Sequence, residues 1–331
     1  MPLKRLFPAA VLLALATTAG SLGARTAPSY KGAIATDAMT GAVLVQDNAD
    51  AISPPASMTK LMTYAVLCDY LKEGTISLDT PLTVTREDAK VADIPDSTKV
   101  WLRQGEVFPV DELIYAMMIQ SANDAAYALA DKAGGSVAAF VARMNVKAKE
   151  LGMIHSTFRS PNGFPPKNRR IAEGDLTTPR DFAILCRYLV LNTDVLRYTS
   201  VKTRSFGSGI RLKPVIMANH NHLLGKIDGV DGLKTGFTSG AGFCLSATVL
   251  RGGHRIIVVM MDSPDARTRD LNVRELMDEA FIKFPITEGP FARGAGAGPA
   301  STSLPTAPKA PTRPSPTPPA DTGPVIRLPG H

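Results

Sequence analysis

The chain has 331 residues, 37 Lys and Arg against 30 Asp and Glu, a formal charge of +7, 44% hydrophobic and 20% charged residues, which is the make-up of a globular protein with a sizeable core. No dense Lys/Arg run with interleaved aromatics occurs, so nucleic acid is excluded as the expected partner, while the mild positive balance suits anionic partners such as wall polymers or lipid headgroups. Cys68, Cys186 and Cys244 each lie in an apolar run and form no C-x-x-C pair, which points to small buried thiols rather than a disulfide framework or a metal site.

Residues 1–24 read as a secretory signal peptide. Lys4 and Arg5 form a basic start, Leu6 to Ala16 an apolar stretch shorter than a membrane span, and Ala19, Gly20, Ser21, Gly23 and Ala24 are small residues suited to cleavage. Removal of this segment lowers the charge to +5 and implies export to the periplasm or cell envelope. Lys31 to Asn48 reads as two strands around a D-A-M-T-G turn, and Met58 to about Tyr70 as a helix stopped by Gly74. Strand-like and irregular pieces are expected up to Val110. Helices are then expected from Val110, from Asn123, over Ser136–Leu151 and over Thr178–Asn192. Gly242 to Asp262 gives two β-prone runs around Gly252-Gly253, and Leu271 to Phe284 a closing helix. Twelve of the 26 prolines fall in residues 285–331, so 286–331 reads as a disordered, Pro-rich tail without an amphipathic anchor pattern. Strands at both ends with helices between them predict an α/β (α+β) domain, its antiparallel sheet built from both chain ends beside a helical cluster.

Three short segments carry residues fit for chemistry. In "SPPASMTKLMTYAVL", Ser57 and Lys60 are three apart at the start of a helix that is apolar nearly all round, so they share a side and Lys60 is expected to be buried. Burial disfavours the ammonium, and a neutral amine beside a hydroxyl is a general base beside a nucleophile. The free N–H groups at a helix start suit a developing oxyanion. The plain alternative is a capping Ser57 and a Lys60 that reaches solvent. In "QSANDAA", Ser121 offers a hydroxyl able to relay a proton and Asn123 an amide able to hold a carbonyl or a lysine; a simple helix cap is the alternative. In "GLKTGFTSGAG", Lys234 supplies a second positive charge, Thr235 a hydroxyl, and Gly236 close approach to a ligand.

The order Ser-x-x-Lys, Ser-x-Asn, Lys-Thr-Gly, with 64 and 113 residues between successive motifs, is the set found in penicillin-binding proteins and class A β-lactamases. Over residues 30–285 the chain resembles the serine D-alanyl-D-alanine carboxypeptidases, the low-molecular-mass penicillin-binding proteins. The resemblance also rests on "SANDAAYALA", "LGMIHSTFRSPNGFP" and "VDGLKTGFTSGAGFCLSA". It implies a β-lactamase/transpeptidase-like DD-peptidase domain at 25–285, without cofactor or metal. Ser57 is then the nucleophile, Lys60 its base and Ser121 the proton relay to the leaving amine. Asn123 and Lys234 position the group, and the backbone N–H groups of Ser57 and Phe237 form the oxyanion hole. Thr235, beside Gly236, meets the substrate carboxylate, and Arg269 of "DARTRD" completes that carboxylate site, where a guanidinium binds bidentately. The implied partners are peptidoglycan stem peptides ending in D-Ala-D-Ala and, as covalent inhibitors, β-lactams.

Departures accompany the resemblance. "ANHNHLLG" has His220 where many relatives carry an arginine, so one positive charge is missing or pH-dependent. His220 and His222 lack the carboxylate or cysteine partners of a metal site. Three other functions remain open: a DD-endopeptidase with the same site, a β-lactamase using Glu173 of "EGDLTT" as deacylating base, and a non-catalytic wall-binding module.

Overall fold

The expected first hairpin forms between β1 (Gly32–Asp37) and β2 (Val43–Asp47). Asp37 Oδ1 accepts the Met39 amide at 2.7 Å, and Gly41 takes φ +78°, which closes the D-A-M-T-G turn. The computed structural model describes residues 29–284 apart from 96, 167 and 169. The signal peptide (1–24) and the Pro-rich tail (286–331) expected from the sequence lie outside the described residues.

A 3-10 turn at Ala56–Thr59 runs straight into α1 (Lys60–Lys72). Next come β3 (Pro81–Thr83), α2 (Arg86–Ala92), β4 (Val107–Pro109) and α3 (Val110–Ile119). Helix α2 lies in a segment that the sequence reading left strand-like or irregular. Its start is fixed by a capping box, Thr85 Oγ1 accepting the Asp88 amide while Asp88 Oδ2 accepts the Thr85 amide. Helices α4 (Asn123–Gly134) and α5 (Val137–Glu150) follow, parted by Gly135 at φ +68°. Then come α6 (Pro179–Asn192), capped by Thr178 with Pro179 in its first turn, and α7 (Val195–Thr199). A small hairpin of β5 (Thr203–Phe206) and β6 (Val215–Ala218) precedes the three long strands β7 (Val230–Thr238), β8 (Gly242–Arg251) and β9 (His254–Ser263). Helix α8 (Ala266–Ile282) begins five residues earlier than the sequence suggested, because Asp265 caps it by accepting the Thr268 amide.

The main sheet is antiparallel in the order β2-β1-β9-β8-β7, so strands from both ends of the described chain meet at β1 and β9. Alternation along β9 shows what holds it. Ile257, Val259 and Met261 face the helical core, while Ile256, Val258 and Met260 face α8 through Val273, Leu276, Met277 and Ala280. All six are fully buried, each worth roughly 1.5–3 kcal/mol against exposure. Helix α6 packs on β1 and β9 from the other face. The sheet is therefore covered on both faces, and β7 is left as the edge strand beside the Ala56–Thr59 turn. No helix among the described residues is long and apolar enough to cross a membrane. The three cysteines are free, with Cys186 and Cys244 fully buried.

Candidate active site

A cleft of about 1060 Å³ opens between the Ala56–Thr59 turn, the start of α4 and the edge strand β7. Ser57, Ser121, Asn123, Thr235, Gly236, Phe237 and Arg269 all line it; the buried Lys60 reaches Ser57 and Asn123 of that lining, and Lys234, also buried, directly precedes Thr235.

Lys60 does not reach solvent; its exposure is 0%. Its Nζ lies 2.9 Å from Ser57 Oγ, 2.7 Å from Asn123 Oδ1 and 2.8 Å from the Asn162 carbonyl. Burial, then the nearby Lys234 charge, holds the amine well below the usual lysine range, and Asp124 and Asp175 offset this only in part. A neutral amine has two N–H donors and one lone pair. Asn123 Oδ1 and the Asn162 carbonyl can only accept, so they take the two donors and leave the lone pair to the Ser57 hydroxyl. Ser57 thus faces an oriented amine whose lone pair is able to act as a general base.

The amide of Asn123 is itself oriented. Its Nδ2 donates to Ser97 Oγ at 2.8 Å, which leaves Oδ1 toward Lys60. The Asn123 amide donates to the Thr98 carbonyl, and Thr98 Oγ1 donates to the Ser121 carbonyl at 2.8 Å. Segment 97–98 therefore grips the Ser121–Asn123 bend. Ser121 sits there at φ +60°, its buried Oγ without a hydrogen-bond partner among the described residues. A buried hydroxyl left unpaired is uncommon, and this one lines the cleft.

Two glycines allow the close packing. A Cβ on Gly236 would lie 2.5 Å from the Pro55 carbonyl oxygen and 3.2 Å from the Met58 nitrogen, so only glycine lets β7 lie against the Ser57 turn. Gly163, at φ +77°, would carry a Cβ 1.9 Å from the Ala56 carbonyl oxygen. The preceding Asn162 carbonyl is the one that reaches Lys60. Asp175 ties this loop to the turn: it accepts from Thr59 Oγ1 at 2.7 Å, Ser160 Oγ at 3.1 Å and the amides of Arg159 and Ser160.

The cationic side of the cleft is more finely balanced than the sequence suggests. Burial and the Arg269 charge lower Lys234 to about 7. Arg269 gives Nε and Nη2 to Asp270 Oδ1 at 2.9 and 2.7 Å, leaving Nη1 3.5 Å from the Cys244 carbonyl. His222 Nδ1 lies 3.6 Å from the other Asp270 oxygen. His220 lines the cleft, and burial followed by Lys234 lowers it to about 4, so it is neutral at pH 7. Phe237 is 55% exposed and stacks on Phe243, giving that wall an aromatic face. Glu173 is half-exposed, outside the cleft lining, and bonded to Asn168 and Arg170.

The sequence reading assigned no role to Ser97, the Asn162 carbonyl, Gly163, Asp175 or Asp270. Gly163 stood in "SPNGFP", where an Asn-Gly pair flanked by prolines signals a turn; a backbone carbonyl has no side-chain signature at all.

Residues 23–265 match the family model described as D-alanyl-D-alanine carboxypeptidase. The chain is 30% identical over 271 residues to D-alanyl-D-alanine carboxypeptidase DacF of Bacillus subtilis, covering 82% of this chain and 67% of that protein. It is 34% identical over 252 residues to DacC of Escherichia coli, covering 75% and 60%. Among solved structures it resembles penicillin-binding protein D2 from Listeria monocytogenes in the ampicillin-bound form. The TM-score there is 0.67 at 32% identity, over 78% of this chain and 99% of that one. The chain thus spans about two thirds or less of the length of these two curated relatives, and almost all of the structural one.

Proposed function

The chain belongs to the D-alanyl-D-alanine carboxypeptidase family, and from that membership we propose that it is an exported serine DD-carboxypeptidase that removes the terminal D-alanine from peptidoglycan stem peptides. The observation that carries this reading is the buried Lys60 amine, 2.9 Å from Ser57 Oγ and steered by two pure acceptors.

Ser57 Oγ attacks the carbonyl of the penultimate D-alanine while Lys60 takes the hydroxyl proton. The negative charge that develops on the carbonyl oxygen falls to the backbone N–H groups of Ser57 and Phe237. Collapse of the tetrahedral adduct breaks the peptide bond. The proton reaches the leaving D-alanine nitrogen through Ser121 Oγ, whose lack of a partner suits a relay. Water, deprotonated by Lys60, then attacks the acyl-enzyme, releasing the shortened peptide and restoring Ser57. Lys234, Thr235 and Arg269 would receive the free carboxylate, with Gly236 keeping the strand close. A β-lactam presents a similar carboxylate and a strained amide, so it is expected to acylate Ser57 and remain there. Residues 1–24 would direct export and leave the domain 25–285, followed by the tail, in the periplasm or envelope.

Glu173 gives no support to a β-lactamase role, since its carboxylate is held by Asn168 and Arg170 outside the cleft. The test is to incubate the protein with a peptide ending in D-Ala-D-Ala and, separately, with a labelled penicillin. D-alanine release and a label on Ser57, both abolished in Ser57→Ala, are expected; a label that persists in that variant overturns the assignment. Digestion of purified peptidoglycan separates the two peptidase activities: loss of cross-linked dimers identifies an endopeptidase, loss of terminal D-alanine alone a carboxypeptidase.

A further inference from the structure

Trp101 is the one tryptophan of the chain, and it is held in a conformation that bulky residues avoid. Its φ is +54° and its side chain is half-exposed, with no ring or hydrogen-bond partner among the described residues. A left-handed backbone at a bulky residue costs of the order of 1–3 kcal/mol and persists only where its surroundings enforce it.

The enforcement is visible on both sides. The Val100 and Leu102 amides donate to the buried Asp124 carboxylate at 3.2 and 3.0 Å. The Val100 and Trp101 carbonyls accept from Arg211 at 2.7 and 2.9 Å. Arg211 is fixed in turn by Glu106, with Nε to Oε1 at 2.7 Å, and by the rings of Phe108 and Phe206 beneath it. Asp124 and Arg211, the latter braced by Glu106 and two aromatic rings, thus hold the backbone of three residues while the indole stays half-exposed.

Position gives this a direction. Asp124 is the neighbour of Asn123, so one turn of α4 holds the base with one residue and the tryptophan loop with the next. Thr98, three residues before Trp101, lines the cleft. Arg211, bonded to the Trp101 carbonyl, is flanked in sequence by the exposed Ile210, Leu212 and Lys213, and Trp101 is followed within three residues by the exposed Arg103 and Gln104. That mixture of an aromatic face, aliphatic side chains and hydrogen-bonding groups matches a chain of N-acetylated hexosamines. Such sugars offer an apolar ring face, acetyl methyl groups and a rim of hydroxyls and amides.

We propose that Trp101 is a stacking platform for the glycan to which the stem peptide is attached, placed beside the cleft so that a strand-bound substrate is held at two points. This rests on the stem-peptide reading of the cleft. A lipid surface is the competing occupant of an exposed tryptophan with aliphatic and basic neighbours. A soft, laterally uniform interface needs no fixed point of projection for the indole, whereas a rigid sugar chain held at two points does, and the clamp fixes the backbone from which the indole projects.

A single tryptophan makes the test direct. Fluorescence of the full protein is titrated with a peptide-free oligosaccharide of β-1,4-linked N-acetylhexosamine, in the native protein and in Ser57→Ala. A saturable change in both is expected. In parallel, kcat/KM is measured on a free D-Ala-D-Ala peptide and on the same peptide attached to glycan. The ratio of the second to the first should fall about five- to tenfold in Trp101→Ala. Trp101→Gly should give the same loss in a fold freed of the strained φ, since glycine adopts it without cost. An unmoved ratio in both variants, no fluorescence response to the sugar, or a response to anionic phospholipid vesicles in its place overturns the platform. If no peptide is hydrolysed by the native protein, the carboxypeptidase reading fails by itself, and the sugar titration still decides the platform.

Discussion

Asn123 Oδ1 lies 2.7 Å from Lys60 Nζ with both groups out of solvent, and this contact sets which face of the amine looks at Ser57. Asn123→Asp replaces a neutral acceptor with a carboxylate of almost the same shape. A negative charge at that distance favours the ammonium, so Lys60 is protonated at neutral pH and its lone pair is lost. Acylation by a fluorescent penicillin should slow about 10²–10³-fold near pH 7 and recover as pH rises. A variant with the native pH profile would show that Asn123 does not act through Lys60.

Ser97 acts one step further back. Its Oγ accepts from Asn123 Nδ2 at 2.8 Å, and without it nothing among the described contacts distinguishes the two ends of the amide. Ser97→Ala should lower stability by ~1–2 kcal/mol and slow acylation about tenfold, through amides turned with Nδ2 toward Lys60. Ser97→Thr keeps the oxygen and should restore most of the rate. If thermal stability falls while the acylation rate of the folded fraction does not, Ser97 is structural only.

The contrast between Ser97 and Ser57 shows what the sequence could carry. Ser57 and Lys60 are three apart, and a short-range spacing survives in the linear order. The hairpins, most of the longer helices and the meeting of both chain ends in one sheet were legible for the same reason, as local periodicity and turn chemistry. Ser97 reaches its partner across 26 positions, from a segment with no periodic pattern. Asn162 contributes a carbonyl, which every residue has. Helix α2 is seven residues long, too short for a 3.6-residue period to stand out, though Thr85 and Asp88 carried its capping signal. The Arg269–Asp270 pairing was hidden differently: adjacent opposite charges at a helix start read as solvated, and only burial shows that the carboxylate occupies two of the guanidinium donors.

Gly163 offers a test of the backbone that supplies the Asn162 carbonyl. Gly163→Ala meets both an unfavourable φ of +77° and a Cβ 1.9 Å from the Ala56 oxygen, so the loop must move away from the Ser57 turn. Gly152, at φ +79° with nothing within 4 Å of an added Cβ, is a control for strain alone. Gly152→Ala should cost about 1 kcal/mol and leave acylation intact. Gly163→Ala should cost more, ~2 kcal/mol or above, and slow acylation at temperatures where it is fully folded. Equal effects of the two substitutions in denaturant melts and acylation assays would remove the argument from close packing.

Lys234 gives a pH dependence whose sign can be worked out. Burial and Arg269 lower it to about 7 in the folded protein, against roughly 10.4 in an unfolded chain. The unfolded state therefore binds the extra proton over the interval between those values, and this group makes stability rise with pH from about 7 to about 10. Denaturant midpoints at steps through that range should climb, and in Lys234→Met the climb should flatten. For catalysis the same titration acts in reverse. On the proposed function the substrate carboxylate binds the Lys234 ammonium, so kcat/KM should fall as pH rises through about 7, while bound carboxylate stabilises the ammonium and moves the corresponding fall in kcat to higher pH. Arginine keeps its charge throughout this range, so Lys234→Arg should abolish the alkaline fall in kcat/KM, even if the longer side chain lowers the rate overall. A fall that persists unchanged in Lys234→Arg would assign it to another group, and Lys234 would then hold the site open as a neutral amine.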